Sequence, residues 1–264
     1  MQQVLVRGKP FSKVVCGTNA FYGRSHFSEA RDIEYRSRCD DDCIKAVIAK
    51  CLEFGINAVE SSANERIVAI ISDLRRRVQT PIHFIGSTRV DKTSTMRSHQ
   101  QKFRFLIQNR ADICVVHSQF VDRQRATEEI RGLREFTQRT HEAGLIAGVS
   151  THRVSTVELC EDRDYGIDVY LFPLNPQGFV YPGYDGDDSV ADRVRVVQNT
   201  PKPFILMKTL AAGRIPPSEG LQFALESAKP NDIVTLGLSS VEEAEESLSL
   251  ALAWLERAAS ARSS

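Results

Sequence analysis

Eight short runs rich in Val and Ile recur along the chain, and the spacing leaves room for one helix between consecutive runs. They are VVCG from position 14, INAVESS from 56, IHFIGS from 82, ICVV from 113, LIAGVS from 145, IDVYLF from 167, FILM from 204 and IVTL from 233. Runs this apolar read as strands buried on both faces of a parallel sheet. Helical signals stand between them around 41–54, 67–78, 98–109 and 127–141, and a Glu-rich helix closes the chain. In the first of these, Ile44, Val47, Ile48, Cys51 and Leu52 share one 3.6-residue face, and Gly55 stops the helix. Alternation without a low-complexity linker predicts an α/β fold, a (β/α)8 TIM barrel forming one domain over 1–264. The chain length of 264 residues suits it, since such barrels run to roughly 250 residues.

Composition narrows the partners. Lys+Arg and Asp+Glu balance at 34 each, so no basic excess points to nucleic acid or an anionic membrane. The opening MQQVLVRGKPF has no apolar leader core, and no run reaches the ~18 apolar residues of a membrane span. A soluble cytoplasmic protein with a small-molecule substrate is expected. Six cysteines are present, two of them (Cys16 and Cys114) inside strand runs. Cys39 and Cys43 flank three aspartates and bracket a helix start, where acidic residues suit the dipole. No second pair stands at zinc-like spacing, so reduced structural thiols are expected and no metal.

In a parallel barrel the carboxyl ends of the strands build the ligand site. The run ICVV ends in His117, and the other runs deliver Glu60-Ser61-Ser62, Thr88-Arg89, Thr151-His152, Leu174-Asn175-Pro176, Lys208-Thr209 and Gly237-Leu238-Ser239-Ser240. Two long connections are candidate covers: the polar loop 20–38, and 177–188 with three glycines, Tyr181, Pro182 and Tyr184.

Seven segments, taken in order, resemble the aldo-keto reductase superfamily over nearly the whole chain. VVCGTNAFYG and GINAVESS are similar to its first two strand exits, and DICVVHSQFVD to the strand that ends in its catalytic histidine. EAGLIAGVSTH, LNP, MKTLAAGRI and TLGLSSVEEAEESL stand where the family has its cofactor-binding segments. The resemblance implies hydride transfer between NADP or NAD and a small carbonyl or alcohol. His117 matches the histidine that orients the carbonyl oxygen, Glu60 takes the place of an aspartate, and Arg89 that of a lysine. The family's acid, a tyrosine five residues past the aspartate, is replaced by Glu65, so the tetrad is degenerate. Tyr22, in the loop after the first strand, is the candidate substitute, because a developing alkoxide needs a donor of tuned pKa beside it. For the cofactor, Ser150 matches a carboxamide ligand, Thr151 replaces an asparagine, and Asn175 follows strand six. Met207 stands where an aromatic stacks on the nicotinamide. Gly237, Ser239 and Ser240 offer N–H groups and hydroxyls to phosphate at a helix start, and Glu246 stands at the adenine with Ser247 replacing an asparagine.

Two other readings stay open. Lys208 replaces a small polar residue at the exit of strand seven, and beside Glu60 and His117 it could serve as a Schiff-base amine or general base. That would support a lyase, isomerase or dehydratase reaction on a phosphorylated or carboxylated molecule; an ion pair with Glu60 is the alternative for the lysine. The altered tetrad also fits a pseudoenzyme that keeps the barrel for binding.

Overall fold

A computed structural model describes residues 1–90, 95–124, 128–178 and 188–263. The chain begins with an antiparallel hairpin, β1 (Gln3–Val6) and β2 (Lys9–Ser12). Its two-residue turn places Arg7 and Gly8 at φ 47° and 78°, the left-handed pair that matches strand twist in a tight hairpin. Eight parallel strands follow: β3 (Val14–Gly17), β4 (Ala58–Ser62), β5 (His83–Ser87), β6 (Ile113–Val116), β7 (Ile146–Ser150), β8 (Val169–Pro173), β9 (Phe204–Met207) and β10 (Ile233–Gly237). They close in sequence order, β10 pairing with both β9 and β3. The fold is a (β/α)8 barrel.

Around it lie α1 (Glu29–Arg38), α2 (Asp41–Glu53), α3 (Glu65–Arg77), α4 (Met96–Gln108), α5 (Ser118–Val121), α6 (Leu133–Glu142), α7 (Val154–Arg163), α8 (Val190–Asn199), α9 (Pro217–Ser227) and α10 (Val241–Ser263). All eight expected strands are present. The stretch 20–38, expected as a loop, instead carries α1. That helix has no buried residue and hence no apolar stripe to read; it is favoured at its ends, by a Ser28 cap, by Glu29 and Asp32 in its first turn and by Arg36 and Arg38 in its last. The helix expected at 127–141 begins at Leu133, and Thr127 lies outside the described residues. So do residues 179–187, most of the second expected cover. No helix among the described residues is long and apolar enough to cross a membrane.

Period-two alternation sorts the strand residues into two cores. Val15, Ala58, Ile85, Ile113, Val115, Ile146, Val169, Leu171, Ile205 and Ile233 face inward and pack with Val4, Val6 and Phe11 of the hairpin, which fills the amino-terminal end of the barrel. Val14, Cys16, Val59, Phe84, Cys114, Val116, Tyr170, Phe172, Phe204 and Leu206 face outward beneath the helices. The amino-terminal rim repeats one device four times. Asn57, Asp112, Asp168 and Asp232 each stand just before an even-numbered strand; the three aspartates accept the backbone N–H of Phe84, Ala147 or Phe204 at the start of the neighbouring strand, and Asn57 that of Ser12, the last residue of β2, at 2.7–3.0 Å. Backbone donors that the barrel would leave unpaired are thereby satisfied. The carboxyl-terminal rim is left for chemistry.

Candidate active site

The inward alternation, continued to the carboxyl ends, lines a cavity of about 990 Å³. Gly17, Glu60, Ser62, Ser87, Arg89, His117, Ser150, His152, Asn175, Met207, Thr235 and Gly237 all line it. Of the expected site residues, the structure brings Glu60, Arg89, His117 and Lys208 together here, with Ser150, Asn175, Met207, Gly237, Glu246 and Ser247 along the same wall.

Lys208 reaches the mouth by a different route. It lies one residue beyond β9, where strand alternation would turn it away from Met207's side. Its backbone is left-handed, φ 58°, which breaks the alternation at a cost of roughly 1–3 kcal/mol for a residue with a side chain. Asn175 Nδ2 donates to the Lys208 carbonyl at 3.0 Å, and Asn175 Oδ1 accepts from Gln177 N–H at 3.0 Å. Both polar groups of this buried amide thus hold the loop.

His117 caps α5 through its ring: Nδ1 accepts the Gln119 N–H at 3.2 Å. An accepting Nδ1 puts the proton of a neutral imidazole on Nε2. The ring stays neutral, because burial, with Arg89 and other cations nearby, depresses its pKa to about 3. Behind it the Thr88 hydroxyl accepts the His117 N–H at 3.2 Å and shares a second hydrogen bond with His99 Nδ1, also at 3.2 Å. His117 is therefore a fixed, uncharged hydrogen-bond donor.

Around it the charged groups are tuned toward neutral pH. Burial raises the Glu60 carboxyl to about 7 against the pull of Arg89 and Lys208. Burial and the Arg89 cation depress Lys208 to about 8, with Glu60 opposing. His26, in the segment between β3 and α1, is depressed to about 3 by burial and by Lys208 and Arg89. A carboxyl near 7 and an amine near 8 in one cavity can exchange protons with a bound molecule at physiological pH. The described lining carries six arginines and one lysine against four carboxylates, so its field favours an anionic ligand.

Four expected residues are placed elsewhere. The Tyr22 hydroxyl meets Ser61 Oγ at 3.1 Å; Ser61 has the outward alternation of β4, and Tyr22 does not line the cavity. Thr151 is turned outward too, its hydroxyl donating to Asp122 at 2.5 Å. Ser239 is engaged by Glu243: its N–H and Oγ donate to the Glu243 carboxylate at 2.8 and 2.7 Å, and Arg38 donates to the same hydroxyl. Ser240 Oγ accepts the Glu243 N–H at 3.2 Å and caps α10. Conversely, Arg24, His26, Arg31, Tyr35 and Arg214 line the cavity without having been singled out in the sequence. Four of them come from the segment between β3 and the end of α1, whose polarity was the sole signal. No group of three His, Cys, Asp or Glu among the described residues is arranged to hold a metal ion.

No protein-family profile and no curated protein matches the sequence. Solved structures do match its fold. A proposed aldo-keto reductase from Pseudomonas aeruginosa superposes with TM-score 0.68 at 16% identity, covering 96% of each chain. A variant of Gox0644, solved in complex with NADPH, gives 0.62 at 14% identity over 95% of this chain and 88% of that one. The N-acetylmannosamine-6-phosphate 2-epimerase of Clostridium perfringens gives 0.51 at 13% identity over 80% and 86%. The barrel is thus built as in the aldo-keto reductases, and a similar barrel also carries an epimerase.

Proposed function

We propose that the protein acts on a small carbonyl compound through Lys208, by proton transfer and imine chemistry. The observation that carries this reading is Lys208, left-handed at φ 58°, sharing one cavity with Glu60, Arg89 and His117; burial and Arg89 bring its amine down to about 8, and burial brings the Glu60 carboxyl up to about 7. Desolvation beside a second cation is how proteins make lysine nucleophilic, and Arg89 is that cation. In the proposed course His117 Nε2–H holds the carbonyl oxygen. Neutral Lys208 Nζ attacks the carbonyl carbon, the C–N bond forms, and the C=O π pair moves to oxygen, which takes the Glu60 proton. Loss of water then gives a protonated imine. The imine nitrogen withdraws electrons from the neighbouring carbon, and the Glu60 carboxylate removes that carbon's proton to give an enamine. Reprotonation and hydrolysis by water release the product and restore Lys208. No oxidant or reductant enters.

The test is reduction of the protein with sodium cyanoborohydride in the presence of pyruvate, followed by peptide mass spectrometry. Stable alkylation concentrated on Lys208, and lost in Lys208→Arg, is the expected result. Labelling spread over surface lysines sinks the reading.

A second reading is a divergent aldo-keto reductase, a nicotinamide-dependent oxidoreductase on a small carbonyl or alcohol. The cavity favours it by running without interruption from His117 to Glu246 and Ser247 on α10, and one neighbour of similar fold was solved with NADPH. The residues at the start of α10 do not fit a dinucleotide phosphate, however. The Ser239 N–H and hydroxyl already serve an internal carboxylate, Glu243, with which a phosphate would have to compete. Titration with NADH and NADPH under thermal shift decides. No rise at millimolar nucleotide is expected, whereas micromolar binding would raise the melting temperature by mass action and restore the redox reading.

A further inference from the structure

The cavity wall contains two buried polar atoms that find no hydrogen-bond partner among the described residues, Arg24 Nη1 and Thr235 Oγ1. Both residues line the cavity. Thr235 is 6% exposed and sits on the inward face of β10. An unpaired buried donor is costly, and more so on a charged group, so native structures seldom keep one without a ligand or water to meet it. Arg24 is also held in advance. Its guanidinium lies 5.3 Å from the centre of the Tyr22 ring, and the next residue is fixed by Asp32, whose carboxylate accepts both Ser25 N–H and Ser25 Oγ at 2.6 Å. Arg214 Nη1 ties the same segment down through the His26 carbonyl at 3.3 Å. A guanidinium on a fixed loop at the wall of a cavity whose lining is already cationic is the arrangement for a phosphate or carboxylate. Arg24 and His117 line the same cavity, so one bound molecule can span both.

We propose that Arg24 anchors the substrate's anionic group, so that the substrate is a small carbonyl compound bearing a phosphate or carboxylate, its carbonyl at Lys208 and His117. This rests on the imine reading above for the carbonyl end only. The Arg24 end stands on its own geometry, and a dinucleotide phosphate would present the same chemistry to it.

The experiment is thermal-shift and calorimetric titration of the full chain with inorganic phosphate, pyruvate and NADH, each at ionic strength matched with chloride. Wild type is compared with Arg24→Gln and Arg24→Lys. Phosphate and pyruvate are expected to bind wild type at least tenfold more tightly than Arg24→Gln, with Arg24→Lys recovering part of the loss. A ligand-free melting temperature within a degree or two of wild type shows that each variant is folded. Equal binding by wild type and Arg24→Gln overturns the anchor. An NADH affinity that depends on Arg24 and displaces phosphate assigns the anion to a dinucleotide and overturns the substrate class. Loss of phosphate binding in Arg24→Gln without any pyruvate trapping on Lys208 leaves the anchor standing and removes the imine reading. Equal trapping of pyruvate and neutral acetone, unaffected by phosphate, removes the anchor and leaves the imine reading.

Discussion

Glu60→Gln separates the two jobs given to the carboxylate, holding the Lys208 charge and moving protons. With its pKa at about 8, Lys208 is about a quarter neutral at pH 7.5, against about one part in a thousand for an ordinary lysine, a gain of roughly 250-fold in neutral amine. Glu60 is the group that raises Lys208 against burial and Arg89. Glutamine keeps the shape and removes the charge, so the amine falls further, by about one unit for a partly buried pair at an effective dielectric near 20. The neutral fraction at pH 7.5 then climbs to roughly three quarters. Catalysis should move the other way, because no carboxylate remains to take the proton next to the imine. Competitive labelling with trace acetic anhydride across pH reads the amine; deuterium uptake from D2O into the carbon beside the carbonyl of pyruvate reads catalysis. Wild type should show a labelling midpoint near 8, and Glu60→Gln a lower midpoint with exchange reduced at least a hundredfold, within the roughly 10²–10⁴ contribution of a positioned base. A wild-type midpoint above about 10, alongside the exposed lysines, refutes the reasoning.

Three further outcomes follow from the packing. Gly220→Ala in α9 should destabilise by about 1–3 kcal/mol, as overpacking does, although helix propensity alone predicts a gain of about 1 kcal/mol. An added Cβ would stand 2.6 Å from the Thr209 carbonyl oxygen, and urea unfolding gives the sign. Glu243→Ala should lose about 1 kcal/mol, the worth of a helix-start interaction, and an unchanged urea midpoint would show that the Ser239 contacts contribute nothing. Asp112→Asn should cost about 1–2 kcal/mol at pH 7. Burial pushes the Asp112 carboxyl up, but hydrogen bonds from His83 and the Phe84 N–H, with Lys9 nearby, bring it below its ordinary 3.8. A depressed folded pKa gives stability that is present above the unfolded value and lost as pH falls through the folded one. The gap between variant and wild type should therefore close as pH drops well below 3.8.

Much of this site was legible because strand alternation is rigid. Once ICVV is a strand, His117 falls on the inward face with Ile113 and Val115, and the same count puts Glu60 and Ser150 inside. That count also places Thr151 outside; there the family resemblance pointed away from the simpler rule. The fate of Ser239 had a signal as well, since Ser240 and Glu243 stand at capping-box spacing, and a glutamate folded back on the helix start takes up the Ser239 N–H and hydroxyl. The hairpin carried its own pattern, Val4 and Val6 alternating before Arg7-Gly8, but three apolar side chains are too few to stand out. Arg24 and His26 were beyond reach. Their positions depend on α1, a helix with no buried face, and on contacts such as Ser25 to Asp32 that span a left-handed residue, His26 at φ 57°.

Lys208 shows how these levels meet. Nothing in FILMKT announces a left-handed lysine, and the conformation is unfavourable by itself. It persists because the surroundings over-determine it: Asn175 grips its carbonyl, the Ala211 N–H donates to the same oxygen at 2.9 Å, and α9 approaches the next residue so closely that only glycine fits at 220. Backbone strain held in place from three sides marks a position whose side chain must point where the strand would not send it. Here that direction is the mouth of the barrel, where desolvation and Arg89 ease the proton off the amine. The left-handed backbone and the neighbouring Arg89 are the two features on which the role proposed for Lys208 rests.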